Sequence, residues 1–530
     1  MARKREVVYC NGRLQGKYLD EDMCDRLENL RKLDQEQGYV KELKNIIYDL
    51  PASDVEAIKD MRDNEVVDFE GKTGELSNLQ TIGVAYMFFA KRLVLGDSVG
   101  IGKTVEVCGL LNLLESRSMK LGQDFRFLFL TGKNLVAQAK DELIRFTGNY
   151  VQDVYGEKSK VDKFVMDNYS ELKYSVVGTH SLIKSVAFQE YMRGFVEDSG
   201  SNPFDILIID ESGDILSNSN TQMYKDASFL AKMFDRVVLL NATAFESELR
   251  SFYNQLNFVD DSFLPTKTEF SKTYEIFNYG VGPYPMFSGK YKNQDQFRQL
   301  VGYRYFARTR KGSGARMVDC SAEAVIVPTS KEQRWLLKQV SMPQMVYDCP
   351  AYFNMGVENS IETVPKMGAL LKLITEDLVM EPSILIFARF KEAQRSIKEL
   401  LEMYGIDSEI MNGDTSQKDR EAIINRFKLG DIRVLITNVQ KGLNFGNCNI
   451  CIFYTYDPNP NKMVQFEGRM TRSFDIVNKH VYVLLSRGGE LRTFNTIIAD
   501  RAKASDMFAG SDFSCVMQLL LEKYKDGKIK

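Results

Sequence analysis

The chain has 530 residues, 44% of them hydrophobic and 27% charged, with 69 Lys and Arg against 72 Asp and Glu for a formal charge of -3. One hydrophobic core stops growing near ~250–300 residues, so two or three domains are expected. The composition excludes the disordered, collagenous and membrane classes, and the balanced charge excludes binding of nucleic acid through bulk positive charge, so any such surface must be local.

Residues 1–74 read as a small accessory module, with a hairpin around Asn11-Gly12 and helical spacing from Asp20 to Asn45. From 75 to 258, the runs RLVLG, FRFLFL, YSVVG, FDILIID and RVVLL alternate with helical segments, the pattern of a parallel sheet wound with helices. Residues 259–363 lack that alternation, are rich in aromatic and basic residues, and read as an insertion bridging two lobes. Alternation returns over 364–490, with SILIFAR, IRVLITN, CIFYTY and HVYVLL as buried strands of a second lobe, and the tail 491–530 carries a helix with CVMQLLLEKY as its apolar face. The expected fold class is therefore α/β: two parallel sheets covered by helices, with a small N-terminal module and an inter-lobe insertion.

The eight cysteines include one close pair, Cys448 and Cys451, and the only histidines are His180 and His480. Buried thiols in a reducing compartment fit this better than a zinc site. The start MARKREVVYC has no apolar stretch long enough for a signal peptide, and no segment approaches the ~18 apolar residues of a membrane helix, so a cytoplasmic protein is expected.

After the strand RLVLG comes GDSVGIGKT, Gly96 to Thr104, and then the helical TVEVCGLLNLL. A strand, a Gly-containing loop ending in Gly-Lys-Thr and a helix form a cradle whose backbone N–H groups face a phosphate. Gly100, Ile101 and Gly102 belong to it, Lys103 would reach the β and γ phosphates of a bound ATP or GTP, and Thr104 would hold Mg2+. A second strand, FDILIID, ends in Asp210-Glu211; Asp210 suits a metal ligand, and Glu211 suits the base that deprotonates the attacking water. More than 350 residues beyond the loop, QFEGRMTR places Arg469 and Arg472 three residues apart on one helical face, suited to spreading γ-phosphate charge.

These segments, in this order from about Leu76 to Leu485, resemble the Swi/Snf ATPase family of helicase superfamily two. LSNLQTIGVAYM is similar to the family's adenine-reading segment, with Gln80 as the glutamine, and Asp97 stands where the family's phosphate loop also has aspartate. GKNLVAQAKDEL resembles a DNA-backbone motif around Lys133, with Gly132 for the usual proline and Ala139 for tryptophan. VVGTHSL resembles the next such motif around Thr179, and NATAFESEL the Thr-Gly-Thr-Pro motif, with Thr243 kept and Ala244 in place of proline. YFARTRKG is similar to the arginine-rich link between lobes. GLNF, with Gly442 and Asn444, resembles the motif facing ATP and DNA, and DPNPNKMVQFEGRMTR reproduces the family spacing from Asn-Pro through Gln465 to the two arginines. After the acidic pair, Ser212-Gly213 replaces the usual Ala-His or Gly-His.

The resemblance implies two RecA-like lobes, ATP and Mg2+ as cofactors, and catalytic roles for Lys103, Asp210, Glu211, Gln465, Arg469 and Arg472. It implies nucleic-acid contacts at Lys133, Thr179, Thr243, Arg389, Gly413 and Thr437. A monomeric, DNA-stimulated ATPase stepping along double-stranded DNA without sequence preference is the leading expectation, of the compact prokaryotic or viral type, with no membrane partner and protein partners unspecified. A strand-separating or fork-remodelling helicase is the alternative, followed by an RNA motor and a non-hydrolysing nucleotide switch.

Overall fold

The computed structural model describes residues 8–10, 13–15, 21–35, 66–67, 73–74, 76, 78–98, 101–155, 158–168, 173–242, 249–278, 286–308, 320–341, 343–438, 448–455 and 479–496. The chain divides into two compact units between residues 315 and 316.

The first unit holds a seven-stranded sheet. Its strands in chain order are β1 (Arg92–Leu95), β2 (Phe127–Thr131), β3 (Val151–Val154), β4 (Ser175–Thr179), β5 (Ile206–Asp210), β6 (Arg236–Leu240) and β7 (Tyr305–Phe306). They lie side by side in the order β7-β1-β6-β5-β2-β4-β3, every neighbouring pair parallel. The interior strands are continuous apolar runs, and all residues of β1, β2 and β4 are buried, as expected for strands covered on both faces. Helices α1 (Glu21–Gln35) and α2 (Asn78–Ala90) come ahead of β1, and the connections between strands include α3 (Lys103–Lys120) after β1, α4 (Val136–Thr147) after β2 and α5 (Leu249–Val259) after β6.

Two buried arginines fasten this sheet. Arg92 donates to the carbonyls of Val259, Ala231 and Phe234 at 2.5, 3.1 and 2.5 Å. Arg304 is fully buried against Asp260, with Nε and Nη2 at 3.0 and 2.7 Å from one carboxylate oxygen, and its Nη1 reaches the carbonyls of Ala90 and Arg92. The hairpin at the N-terminus pairs Val8–Cys10 with Arg13–Gln15. Helix α1 sets the Arg26 guanidinium over the Phe89 ring and that of Arg31 over Tyr303.

The second unit holds six parallel strands: β8 (Cys320–Val327), β9 (Ile384–Phe387), β10 (Ser408–Met411), β11 (Val434–Thr437), β12 (Ile450–Phe453) and β13 (Lys479–Ser486), ordered β8-β13-β12-β9-β11-β10. Alternate residues serve two cores. Leu385, Phe387, Leu435, Cys451 and Phe453 pack in one, while Ile384, Ile386, Val434, Ile450 and Ile452 pack in the other with helices α6 (Pro365–Lys372) and α7 (Lys391–Met403), the period-two consequence of a two-faced sheet. The strand-poor stretch 259–363 supplies a strand to each sheet, β7 to the first and β8 to the second.

No described helix is long and apolar enough to cross a membrane. Cys24, Cys108, Cys349, Cys448 and Cys451 are buried free thiols. The apolar face of the tail, CVMQLLLEKY, lies outside the described residues.

A buried ionic knot closes one end of the second sheet. Lys366 on α6 donates to Asp348 at 2.8 Å, to Glu490 at 2.5 Å and to the carbonyl of Tyr454 at 3.0 Å. Glu490 also accepts from the Ser486 N–H at 2.7 Å, and the Tyr454 hydroxyl donates to the Asp348 carbonyl at 3.0 Å. Two carboxylates compete for one ammonium out of water, and burial pushes the Asp348 carboxyl up from 3.8 to about 6. A raised folded pKa favours the protonated native state, so this contribution is complete below about pH 4 and is lost as pH rises through about 6. The unfolding free energy of the wild type relative to Asp348→Asn should therefore fall by about 1–3 kcal/mol between pH 4 and 7, read from urea midpoints of both chains.

Candidate nucleotide site and nucleic-acid interface

Parallel strands bring their C-terminal ends to one sheet edge, where open α/β sheets bind ligands. Strand β6 lies between β1 and β5, so the Lys103 loop and the Asp210 turn leave that edge roughly 10 Å apart by strand spacing.

The loop after β1 enters α3 through Gly102, whose φ of 106° is open to glycine and strained for other residues. A side chain there would also meet the Gln80 amide nitrogen at 2.7 Å. That distance brings Gln80 of α2 against the phosphate loop. The Lys103 ammonium donates to the carbonyls of Asp97 and Ser98 at 2.5 and 3.3 Å. Ile101, Gly102, Lys103 and Thr104 are half-buried. Asp97 is fully buried and its carboxylate is held by Arg308, so its side chain supports the loop from inside.

At the end of β5, the Asp210 carboxylate accepts from the Thr131 hydroxyl at 3.0 Å and from the Glu211 N–H at 2.9 Å. Glu211 adopts φ 50°, unusual outside glycine, at the turn that carries the candidate base. The His180 Nε2 lies 2.8 Å from the Asp210 carbonyl. Ser212 is fully buried; its N–H donates to the Leu240 carbonyl at 3.1 Å and its hydroxyl to Gln255 Oε1 at 3.2 Å, the same oxygen that accepts from Asn241 at 2.8 Å. The acidic turn is thus fixed to four neighbours: the ends of β2 and β6, the turn after β4, and α5.

An ATP-bound Mg2+ ion fits these residues. Hydrogen bonds from the Thr131 hydroxyl and the Glu211 N–H, one to each oxygen, orient the Asp210 carboxylate, the kind of outer partners that orient a metal ligand. Thr104 stands in the first turn of α3, one residue beyond Lys103.

Among the candidate nucleic-acid contacts, Lys133 is exposed just after β2, and Thr179 is buried at the end of β4 with its hydroxyl 2.5 Å from that of Ser181. Gly132, in place of proline, keeps φ -65°, the angle that a proline ring would impose, with an extended ψ of 145°. In the second unit, Arg389, Gly413 and Thr437 follow or end the adjacent strands β9, β10 and β11 on one edge. Gly413 is exposed, Arg389 is half-buried, and Thr437 is buried with its carbonyl accepting the Ala388 N–H at 3.0 Å. Gly100, Thr243, Gly442, Asn444, Gln465, Arg469 and Arg472 lie outside the described residues. Both roots of the arginine segment are described: Tyr454 is tied to Lys366 and Asp348, and the buried Lys479 donates to the Cys448 carbonyl at 2.7 Å.

Sequence reading passed over Thr131, His180 as a partner of Asp210, Asn241, Gln255, Glu106 and Arg308. Three carried a signal: a hydroxyl closing the apolar run FLFLT, an amide closing RVVLL, and a carboxylate within the apolar helix TVEVCGLL.

Residues 79–382 match the family model of the SNF2-related domain, and residues 365–473 that of the helicase conserved C-terminal domain. The SWI/SNF-related matrix-associated actin-dependent regulator of chromatin subfamily A-like protein 1 of Bos taurus is 25% identical over 331 residues, covering 58% of this chain and 34% of that protein. In Bacillus subtilis, the uncharacterized ATP-dependent helicase YqhH is 21% identical over 437 residues, covering 75% and 72%, and the putative ATP-dependent helicase/translocase YwqA is 22% identical over 479 residues, covering 83% and 49%. The chain spans about a third of the length of the vertebrate relatives it matches. A solved SWI2/SNF2 ATPase core of Sulfolobus solfataricus in complex with dsDNA is 18% identical with a TM-score of 0.37, over 85% of this chain and 97% of that one.

Because the Thr131 hydroxyl orients Asp210, Thr131→Val is expected to lower steady-state phosphate release from ATP by about 10–100-fold, with the melting temperature held within a few degrees.

Proposed function

Because the chain belongs to the SNF2-related ATPases of helicase superfamily two, ATP-dependent motors that hydrolyse ATP, we propose that it is a DNA-stimulated ATPase that translocates along double-stranded DNA. The observation that carries this reading is the His180 bridge. His180 follows Thr179, a candidate backbone contact, and its ring reaches the carbonyl of Asp210, so a strand of DNA pressing on the β4 turn bears on the acidic turn of the ATP site through one side chain.

In this reading the phosphate loop holds the nucleotide, with Lys103 on the β and γ phosphates and Gln80 reading adenine. Thr104 and Asp210 would hold a magnesium ion, which would supply charge neutralisation on those phosphates. Glu211 takes the proton from the attacking water, and Arg469 and Arg472, with Gln465 beside them, stabilise the charge on the transferring phosphoryl group. Lys133, Thr179, Thr243, Arg389 and Gly413 grip the phosphate backbone, with the wholly buried Thr437 behind them, and Gly442 and Asn444 face both ligands. Such contacts carry no sequence information and weaken steeply with salt. A chain with a formal charge of -3 suits this mode only through local basic residues.

The test is an ATPase titration with single-stranded, duplex and branched DNA, with Lys103→Ala and Glu211→Gln as controls, together with triplex displacement. Duplex DNA should raise turnover about tenfold or more, an order of stimulation set by coupling of one to three kcal/mol, and both controls should abolish it. His180→Phe should cut the stimulation ratio several-fold. Stimulation by duplex RNA alone, strand separation on a fork without triplex displacement, or no turnover in the intact chain would each overturn the reading in favour of an RNA motor, a helicase or a nucleotide switch.

A further inference from the structure

The entry to the phosphate loop is zipped to a distant segment. The carbonyls of Arg304, Phe306 and Arg308 accept from the N–H groups of Val94, Gly96 and Ser98 at 2.8, 2.7 and 3.0 Å. Thus the strap 304–308 follows the chain out of β1 and into the loop. Gly96 has no side chain because the Tyr305 ring occupies that space. The Tyr86 ring of α2 stacks on Phe306 at 4.4 Å between centroids.

At the end of the strap, Arg308 joins the two limbs of the loop from behind. Its backbone N–H donates to Asp97 Oδ1 at 2.8 Å and its Nε to Asp97 Oδ2 at 3.0 Å, and its Nη2 donates to both Asp97 and Glu106. Asp97 stands at the start of the loop, and Glu106 stands in the first turn of α3, three residues after Lys103. The side chains of Asp97 and Glu106 are wholly buried and that of Arg308 is 2% exposed. Helix α2 makes room for them at Gly83, where a Cβ would fall 2.5 Å from Glu106 Oε2 and 2.9 Å from Arg308 Nη2.

Two buried carboxylates share this one guanidinium. Burial holds the Glu106 carboxyl well above its ordinary range, and Lys103 is the next cation that Glu106 feels. With Arg308 in place, the Lys103 ammonium rests on the carbonyls of Asp97 and Ser98. Without it, Lys103 becomes the next cation for Glu106, and the loop loses the fork that spaces its two ends.

We propose that Arg308 is a positioning residue for the phosphate loop, which sets the separation of Asp97 and Glu106 and keeps Lys103 on the nucleotide, so that ATP affinity depends on the strap that leads toward the second unit. This deepens the ATP-site reading and rests on it.

Two variants test it. Arg308→Lys keeps the charge and removes the fork. The charge-matched double variant Arg308→Gln with Glu106→Gln removes the fork and leaves the net charge of the cluster unchanged. Kd for a fluorescent ATP analogue, KM and kcat for ATP at saturating duplex DNA, and melting temperature are measured on the full chain. The double variant should raise Kd and KM by about tenfold or more, the scale of a lost bidentate charged contact, with kcat within about threefold, the signature of lost ground-state binding. Arg308→Lys should fall between the double variant and wild type. A wild-type Kd in the double variant, or a loss of kcat with Kd unmoved, overturns the inference, and if Arg308→Lys does not fold the double variant decides. Failure of the wild-type chain to bind the analogue would instead overturn the nucleotide-site reading.

Discussion

A parallel sheet imposes one constraint on everything else in this molecule: its strands all end on the same edge. Asp97, Thr131, Thr179, Asp210 and Asn241 are far apart in sequence yet follow or close five strands of one sheet, in a spatial order that the crossovers shuffle. Along that edge the ladder of backbone hydrogen bonds stops, leaving N–H and C=O groups that need partners. Here they are met by Lys103 on loop carbonyls, His180 on the Asp210 carbonyl and the Glu211 N–H on its neighbour's carboxylate. The second sheet repeats the arrangement with Arg389, Gly413, Thr437 and Thr455.

The fully buried cations are placed where strands must be held against their own chain ends. Burying a charge costs several kcal/mol even after relaxation, and pairing repays it only when the remaining donors are also satisfied. Arg304 meets that condition with a carboxylate and two carbonyls, and Lys366 with two carboxylates and one carbonyl. The strap shows why spacing matters. Residues 304, 306 and 308 share one face of an extended chain, so Arg304 fastens the start of β1, Phe306 stacks on Tyr86, and Arg308 reaches the loop, its guanidinium 5.0 Å from the Phe306 ring centroid.

Nine interior strands were legible in the sequence because burial on both faces makes them continuous apolar runs, as in ILIID and ICIF. Of the thirteen strands in the two large sheets, the four that were not are the outermost of each: β3, β7, β8 and β10. VQDV is buried only at its ends, SEIM is buried only at Met411, and β7 is two residues long; CSAEAVIV opens with alternating polar residues inside a stretch that reads as a bridge. The candidate site divides in the same way. Lys103, Thr104, Asp210 and Glu211 were legible because their chemistry is compressed into contiguous motifs. Arg308 and Glu106 meet although they stand 202 positions apart, and no periodicity in a single sequence encodes that register.

The replacement of the usual histidine by Ser212-Gly213 looks from sequence like the loss of a polar link at the ATP site. The structure supplies links from other elements. Ser212 joins the acidic turn to Gln255 of α5 and, through the shared oxygen, to Asn241 at the end of β6, two residues before Thr243. The imidazole comes instead from His180 on the neighbouring turn. These contacts have a further effect on Glu211. A residue held at φ 50° reverts to an ordinary conformation unless its surroundings over-determine it, and here the residue before it is fixed by Thr131 and His180 while the residue after it is fixed by Leu240 and Gln255. The strain is stored at the carboxylate proposed as the base, and it is the side chains around the turn, rather than a histidine within it, that keep it there.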